Sequence, residues 1–216
     1  MQVHQLTVGP LAENCFLVRA TDGSEALLFD PGDEAPRILE TLEQTGATLA
    51  AILLTHTHFD HIGAVAPVAA ATGAPVWCPE LEAPVLADID RYVPWPEFGP
   101  FESYRADHLL RGGERLELAG LELDVLSTPG HSPGHVSYSI GGAGSLFSGD
   151  VVFQGSIGRT DLPGGDTATL MASIAMLLDA LGDETRVFPG HMGQTTLGAE
   201  RARNPFLREL ATPRGR

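Results

Sequence analysis

The chain has 216 residues, 43% of them apolar, enough for one large domain or two small ones around a shared core. Its formal charge of -15 and pI near 4.7 argue against broad binding to nucleic acid or to an anionic membrane. Cys15 and Cys78 are too few for a disulfide framework, and neither an export signal nor a membrane-spanning run is visible, so a soluble cytoplasmic protein is expected.

Three short apolar runs open the chain at residues 3–8, 15–20 and 26–30, separated by the turn signals Gly9-Pro10 and Thr21-Asp22-Gly23. They predict an antiparallel β-meander. Asp30-Pro31-Gly32-Asp33 breaks the sheet and can cap a helix that runs to about Gln44 and closes at Gly46. Residues 49–54 read as a buried strand. An Ala-rich helix at 62–72, a strand at 75–78 and a helix at 80–89 follow. From Arg91 to Asp107 the pattern dissolves into an aromatic, Pro-rich stretch, and so long a loop in a compact domain is usually functional or mobile. Residues 116–118 with 121–126, and 136–140 with 145–148, predict two hairpins. Residues 166–181 carry the pattern of an amphipathic helix, 186–189 that of a strand and 196–210 that of a last helix. The tail at 211–216 is expected to fray, leaving 1–210 as a single domain. Two β-rich halves with helices between them predict two sheets covered by helices outside.

Residues 55–61, Thr55-His56-Thr57-His58-Phe59-Asp60-His61, put three imidazoles and one carboxylate into seven positions. Neutral imidazole and carboxylate together suit zinc, iron or manganese. The group falls where a strand ends and a helix begins, the edge at which layered α/β folds usually place their sites. In extended backbone His56 and His58 point the same way. Asp60 and His61 lie past the turn and can face a second point, so one segment can serve two ions. Three later apolar runs also end on a small residue and a potential ligand: Pro129-Gly130-His131, Ser148-Gly149-Asp150 and Pro189-Gly190-His191. A lone histidine in such a place is more often a solvated surface residue, but the four segments together predict a metal centre.

These motifs, in this order, resemble the metallo-β-lactamase superfamily over essentially the whole chain. Gly158-Arg159-Thr160-Asp161-Leu162-Pro163-Gly164-Gly165-Asp166 and Asn204-Pro205-Phe206-Leu207 are similar to the short glyoxalase II-like (hydroxyacylglutathione hydrolase-like) enzymes. The resemblance implies an α/β fold of the four-layer αββα sandwich type. It also implies two divalent ions, zinc first with iron or manganese as options. One would be held by His56, His58 and His131, the other by Asp60, His61 and His191, with Asp150 bridging. Such a pair brings a shared water toward hydroxide at ordinary pH and polarises an acyl carbonyl. Asp60 is expected to orient that hydroxide, so Asp60 and Asp150 are read as catalytic as well as ligating. The implied substrate is a small acyl-glutathione-type thioester such as S-lactoylglutathione, whose thiolate leaves with little acid help; neither nucleic acid nor membrane is a partner.

Several residues beside this set keep two readings. His135 either partners a ligand or carboxylate from behind, or makes a structural hydrogen bond in its turn. Arg159 either clamps a substrate carboxylate or braces its loop through Asp161. Trp95 and Phe98, with Phe101, either line a substrate mouth or pin their loop to the core. His4 and His108 are read as surface or packing residues. A mononuclear-iron persulfide dioxygenase shares the outer motifs, including Gly158-Arg159-Thr160-Asp161, and is the second functional reading; the following Leu162-Pro163-Gly164-Gly165-Asp166 leans toward the hydrolase. Lactone hydrolysis and a non-catalytic metal-binding module remain further alternatives. Phosphodiester cleavage is another, although no basic insertion is present to grip RNA. Little chain follows His191, whereas larger glyoxalase II enzymes hold glutathione with a C-terminal helical domain, so thiol recognition is expected from the loops.

Overall fold

A computed structural model describes residues 1–93, 95 and 97–208; the expected frayed tail at 211–216 lies outside them. Strands β1 (Gln2–Val8), β2 (Glu13–Arg19) and β3 (Glu25–Phe29) form the antiparallel meander. Strands β4 (Thr48–Leu53), β5 (Val76–Pro79) and β6 (His108–Leu110) extend the same sheet in parallel, in the order β1-β2-β3-β4-β5-β6. Parallel neighbours need crossovers, and helices supply them: α1 (Ala35–Thr45) before β4, α2 (Phe59–Ile62) and α3 (Val65–Thr72) before β5, α4 (Ala83–Leu86) and α5 (Ile89–Tyr92) before β6.

The second half repeats the plan. Strands β7 (Arg115–Leu118), β8 (Leu121–Ser127), β9 (Val136–Ile140) and β10 (Ser145–Gly149) run antiparallel. A small hairpin of β11 (Val152–Phe153) and β12 (Ser156–Ile157) and helix α6 (Thr167–Ala180) precede β13 (Arg186–Pro189), which lies parallel to β10. Strand β14 (Thr195–Thr196) and helix α7 (Leu197–Arg203) follow, and the sheet order is β14-β13-β10-β9-β8-β7.

Side-chain alternation along the strands builds the layers. Phe16 and Val18 of β2, and Leu27 and Phe29 of β3, face the opposite sheet, while Cys15, Leu17, Ala26 and Leu28 face the helices α1 and α3. In the second sheet Phe147 and Phe188 point inward and Leu146 and Val187 pack under α6. Three apolar clusters therefore fill the three interfaces of a helix–sheet–sheet–helix sandwich, the fold expected. At its centre Phe147 stacks on Phe29, with ring centroids 4.2 Å apart, and on Phe188 at 4.9 Å. Tyr138 donates from its hydroxyl to the Leu54 carbonyl across the sheets at 2.7 Å.

The departures from expectation are local. The helix expected at 62–72 starts at Phe59 and breaks at Gly63-Ala64, where a Cβ on Gly63 would lie 2.5 Å from the Gly32 carbonyl. The one expected at 80–89 divides at Asp88, whose φ of -156° is not helical. The last helix stops at Arg203 because Asn204 precedes Pro205, which disfavours helical backbone. Asp30 does not cap α1; the capping residue is Glu34, and Asp30 turns inward. Among the described residues no helix is long and apolar enough to cross a membrane.

Candidate metal centre

Strand β4 delivers Thr55, His56 and Thr57 buried, and α2 carries Asp60 and His61 away from its first turn. From the other sheet come His131 after β8, Asp150 after β10 and His191 after β13. The ligand atoms of His56, His58 and His131 lie within 4.8 Å of one another, as do those of Asp60, His61 and His191. Asp150 faces both groups. Its Oδ2 is 3.5 Å from Nε2 of His131 and 3.5 Å from Nε2 of His191, and its Oδ1 is 3.5 Å from Nε2 of His61. Every residue expected as a ligand is thus drawn to one end of the sandwich.

The hydrogen bonds behind the imidazoles fix which nitrogen is bare. His131 Nδ1–H donates to the Arg159 carbonyl at 2.7 Å, and His61 Nδ1–H to Asp30 Oδ2 at 3.2 Å. Thr55 spends its hydroxyl proton on Asp30 (2.7 Å), so at 3.0 Å it accepts from His56 Nδ1–H. The inward Nε2 atoms of His131 and His56 therefore present lone pairs, and that of His61 is the one left free to ligate once a cation replaces its proton. His56 Nε2 lies 3.2 Å from His58 Nδ1, which is 2.8 Å from His131 Nε2. The three ring nitrogens thus converge on one point, where a cation can sit among them. In the second group His61 Nε2 and Asp150 Oδ1 are buried with no hydrogen-bond partner. These donors fit divalent metal ions. Asp30, His56 and His61 also come together, but the Asp30 oxygens are committed to Thr55 and His61.

The electrostatics divide the same way. Burial, helped by neighbouring imidazoles, pushes His56 well below the usual histidine range, and burial with His131 brings His58 down to about 4. His56 and His58 thus stay neutral, the form that ligates. Around His61 burial acts downward too, but the carboxylates of Asp150, Asp60 and Asp30 outweigh it and hold the ring well above its ordinary value. Burial raises Asp60 less than His61 and the hydrogen bond to His191, at 3.2 Å, lower it. This second pole attracts positive charge.

Four supporting residues had no signal in the sequence, because their partners are remote. Asn14, on β2, accepts from Gln5 and Thr7 of β1 through its Oδ1 and holds the His191 turn with its remaining groups. Its backbone N–H donates to the Gly190 carbonyl at 2.7 Å, and its amide to the carbonyls of Pro189 (3.0 Å) and Met192 (2.9 Å). Glu82 accepts from Ser132, from the Gly134 backbone and from Thr57, tying the His131 turn to the 55–61 segment. Asp30, besides orienting His61, accepts from the Thr55 backbone at 2.7 Å. Glu13 is fully buried 3.7 Å from His61 Nδ1, with neither oxygen hydrogen-bonded, and burial holds its carboxyl well above the usual range. Two glycines are dictated by close approach. A Cβ on Gly190 would run into Asp150 Oδ1; one on Gly149 (φ +50°) would stand 2.6 Å from His135 Nε2.

His135 stands behind Asp150. Its Nε2 accepts the Asp150 backbone N–H at 3.1 Å, so Nδ1–H donates to Thr128 at 2.9 Å; burial keeps the ring neutral. The exposed guanidinium of Arg159 pairs with Asp161 at 2.7 and 2.8 Å. Trp95 and Phe98 gather with Phe101 on Phe59, the residue before Asp60, with Phe98 stacked at 4.9 Å. His108 is a packing residue, its ring 4.0 Å from Trp77, and His4 is exposed on β1.

Known proteins share this plan. The profile of the metallo-beta-lactamase superfamily matches residues 8–191. A probable metallo-hydrolase of Bacillus subtilis, YqgX, is 41% identical over 96% of this chain and 98% of its own length. The hydroxyacylglutathione hydrolase GloC of Haemophilus influenzae is 35% identical, with coverage of 96% and 98%. Among solved structures, the BLEG-1 B3 metallo-beta-lactamase superposes with a TM-score of 0.91 at 41% identity, covering 96% of this chain and all (100%) of that one. TTHA1623 in a di-iron-bound form gives 0.87 at 44% identity, with coverage of 95% and 100%. ETHE1 from Myxococcus xanthus gives 0.79 at 28% identity, with coverage of 95% and 84%.

Proposed function

The chain belongs to the metallo-beta-lactamase superfamily, and on that premise we propose that it is a hydrolase of acyl-glutathione-type thioesters working with two divalent ions. The observation that carries the reading is the Asp150 carboxylate, one oxygen of which stands 3.5 Å from a donor in each group. His56, His58 and His131 would hold one ion, Asp60, His61 and His191 the other, with Asp150 shared. Zinc suits these donors, and iron or manganese would as well. Ions bound there would act as Lewis acids on a water and on an acyl carbonyl. Asp60, ionised and anchored to His191, would accept a hydrogen bond from the attacking water and aim it. Asp30, Thr55 and the Arg159 carbonyl would keep the Nε2 atoms of His61, His56 and His131 facing inward throughout. A thioester is favoured because its thiolate departs without a general acid. The likeness to GloC supports a glutathione-like thiol.

The likeness to ETHE1 keeps a mononuclear-iron persulfide dioxygenase as the second reading. Metal quantification on the purified protein, a thioester panel followed by thiol release, and oxygen uptake with glutathione persulfide separate the two. About two equivalents of metal with S-lactoylglutathione turnover support the hydrolase; stoichiometric oxygen consumption overturns it.

A further inference from the structure

A cleft of about 190 Å³ adjoins the metal-ligand groups and shares Asp60 with them. One wall is aromatic. Phe98 stacks on Phe59 at 4.9 Å, and Phe101 and Trp95 lie 5.7 and 6.0 Å from the same ring. Phe59 and Phe101 rest on the core with one side, but Phe59, Phe98 and Phe101 all keep exposed surface on the cleft, and Trp95 beside it is 37% exposed. The other side chains of consequence are acidic, Asp33 and Glu97, and among the described residues no basic one lines the cleft. Arg159, a basic residue of the Gly158–Asp166 loop, is already paired with Asp161. Away from the Asp60 end, where a bound ion would draw the acyl carbonyl, a second carboxylate at the far end of an acyl chain would meet the like charge of Asp33 and Glu97. An uncharged chain would bury its surface against the rings.

We propose that this cleft is the acyl subsite: it takes an uncharged, apolar acyl group and disfavours one that ends in a carboxylate. The proposal rests on the thioester reading above and narrows it, since it assigns to the cleft the acyl side of the substrate and leaves the charged thiol outside.

The test is a series of glutathione thioesters on the metal-loaded enzyme. From acetyl through butyryl to hexanoyl, kcat/KM should rise about fourfold per methylene until the cleft is filled, from about 0.8 kcal/mol per buried CH₂. Glutaryl thioester should fall well below pentanoyl. Phe98→Ala should lower the hexanoyl-to-acetyl ratio by roughly tenfold, and Glu97→Gln should raise the glutaryl-to-pentanoyl ratio. A flat series on active wild-type enzyme, which needs no variant to fold, overturns the subsite. So does a glutaryl thioester handled as well as pentanoyl. Protein carrying two metals that turns over no thioester at all overturns the parent reading instead, and the two failures are distinct.

Discussion

Replacing Asn14 by alanine should empty one metal position of the two. The side chain spans a gap that the sequence conceals: it leaves β2 and holds the carbonyls of Pro189 and Met192, on either side of the Gly190-His191 turn, while its Oδ1 accepts from Gln5 and Thr7. Alanine abandons the Pro189 carbonyl in the interior, at a cost of about 1–3 kcal/mol, and loses a part-buried bond to Met192 worth about 1 kcal/mol. The metal-free protein should therefore unfold with about 2–4 kcal/mol less stability. Supporting groups behind a metal ligand typically contribute 10–100-fold in affinity, and His191 serves only the group with Asp60 and His61. The loss should fall on one ion. Urea unfolding of the metal-free variant, with metal counted after dialysis against graded chelator, reads both quantities. A variant that keeps both ions at the wild-type chelator concentration and unfolds within about 0.5 kcal/mol of wild type would refute the reasoning.

Asp30→Asn keeps the shape but can no longer demand the proton of His61 Nδ1; metal affinity should fall on the order of tenfold or more, as counted in the same dialysis. Asp150→Ala should abolish thioester turnover and halve the bound metal while circular dichroism stays native, and retention of two ions would contradict the bridging role. In metal-free protein His58 should titrate near pH 4 by histidine NMR. Its folded value lies below the unfolded one near 6.5, so its contribution, on the order of 3 kcal/mol, is present above pH 6.5 and is lost as pH falls toward 4; a midpoint at 6.5 would show the ring is not desolvated. Phe147→Ala, opening a hole between Phe29 and Phe188, should cost about 3–5 kcal/mol in urea unfolding.

The fold was legible where periodicity and turn chemistry agreed. The meander, both hairpins and α6 lie within a residue or two of expectation, because each is specified by its own segment. Strand β6 was not legible: three residues carry no period, and it exists only because Val76–Pro79 offers a parallel edge to pair with. The donor set was visible since its members sit at strand ends beside small residues. What orients those donors was not. Asp30 looks like a helix cap and Asn14 like an ordinary strand residue, and only the folded chain shows that their partners lie 25 and 175 residues away. The sequence displays the guanidinium of Arg159, whereas its carbonyl is what touches His131.

Each donor group draws two side chains from the first half of the molecule and one from the second: His56 and His58 with His131, Asp60 and His61 with His191. Neither half can grip a cation alone. A captured ion is accordingly a clasp across the seam, and its free energy adds to the docking of the halves, growing with the logarithm of metal supply. Scarcity of metal would slacken the joint first and leave each sheet intact, making the cohesion of the whole a gauge of the cation available to it.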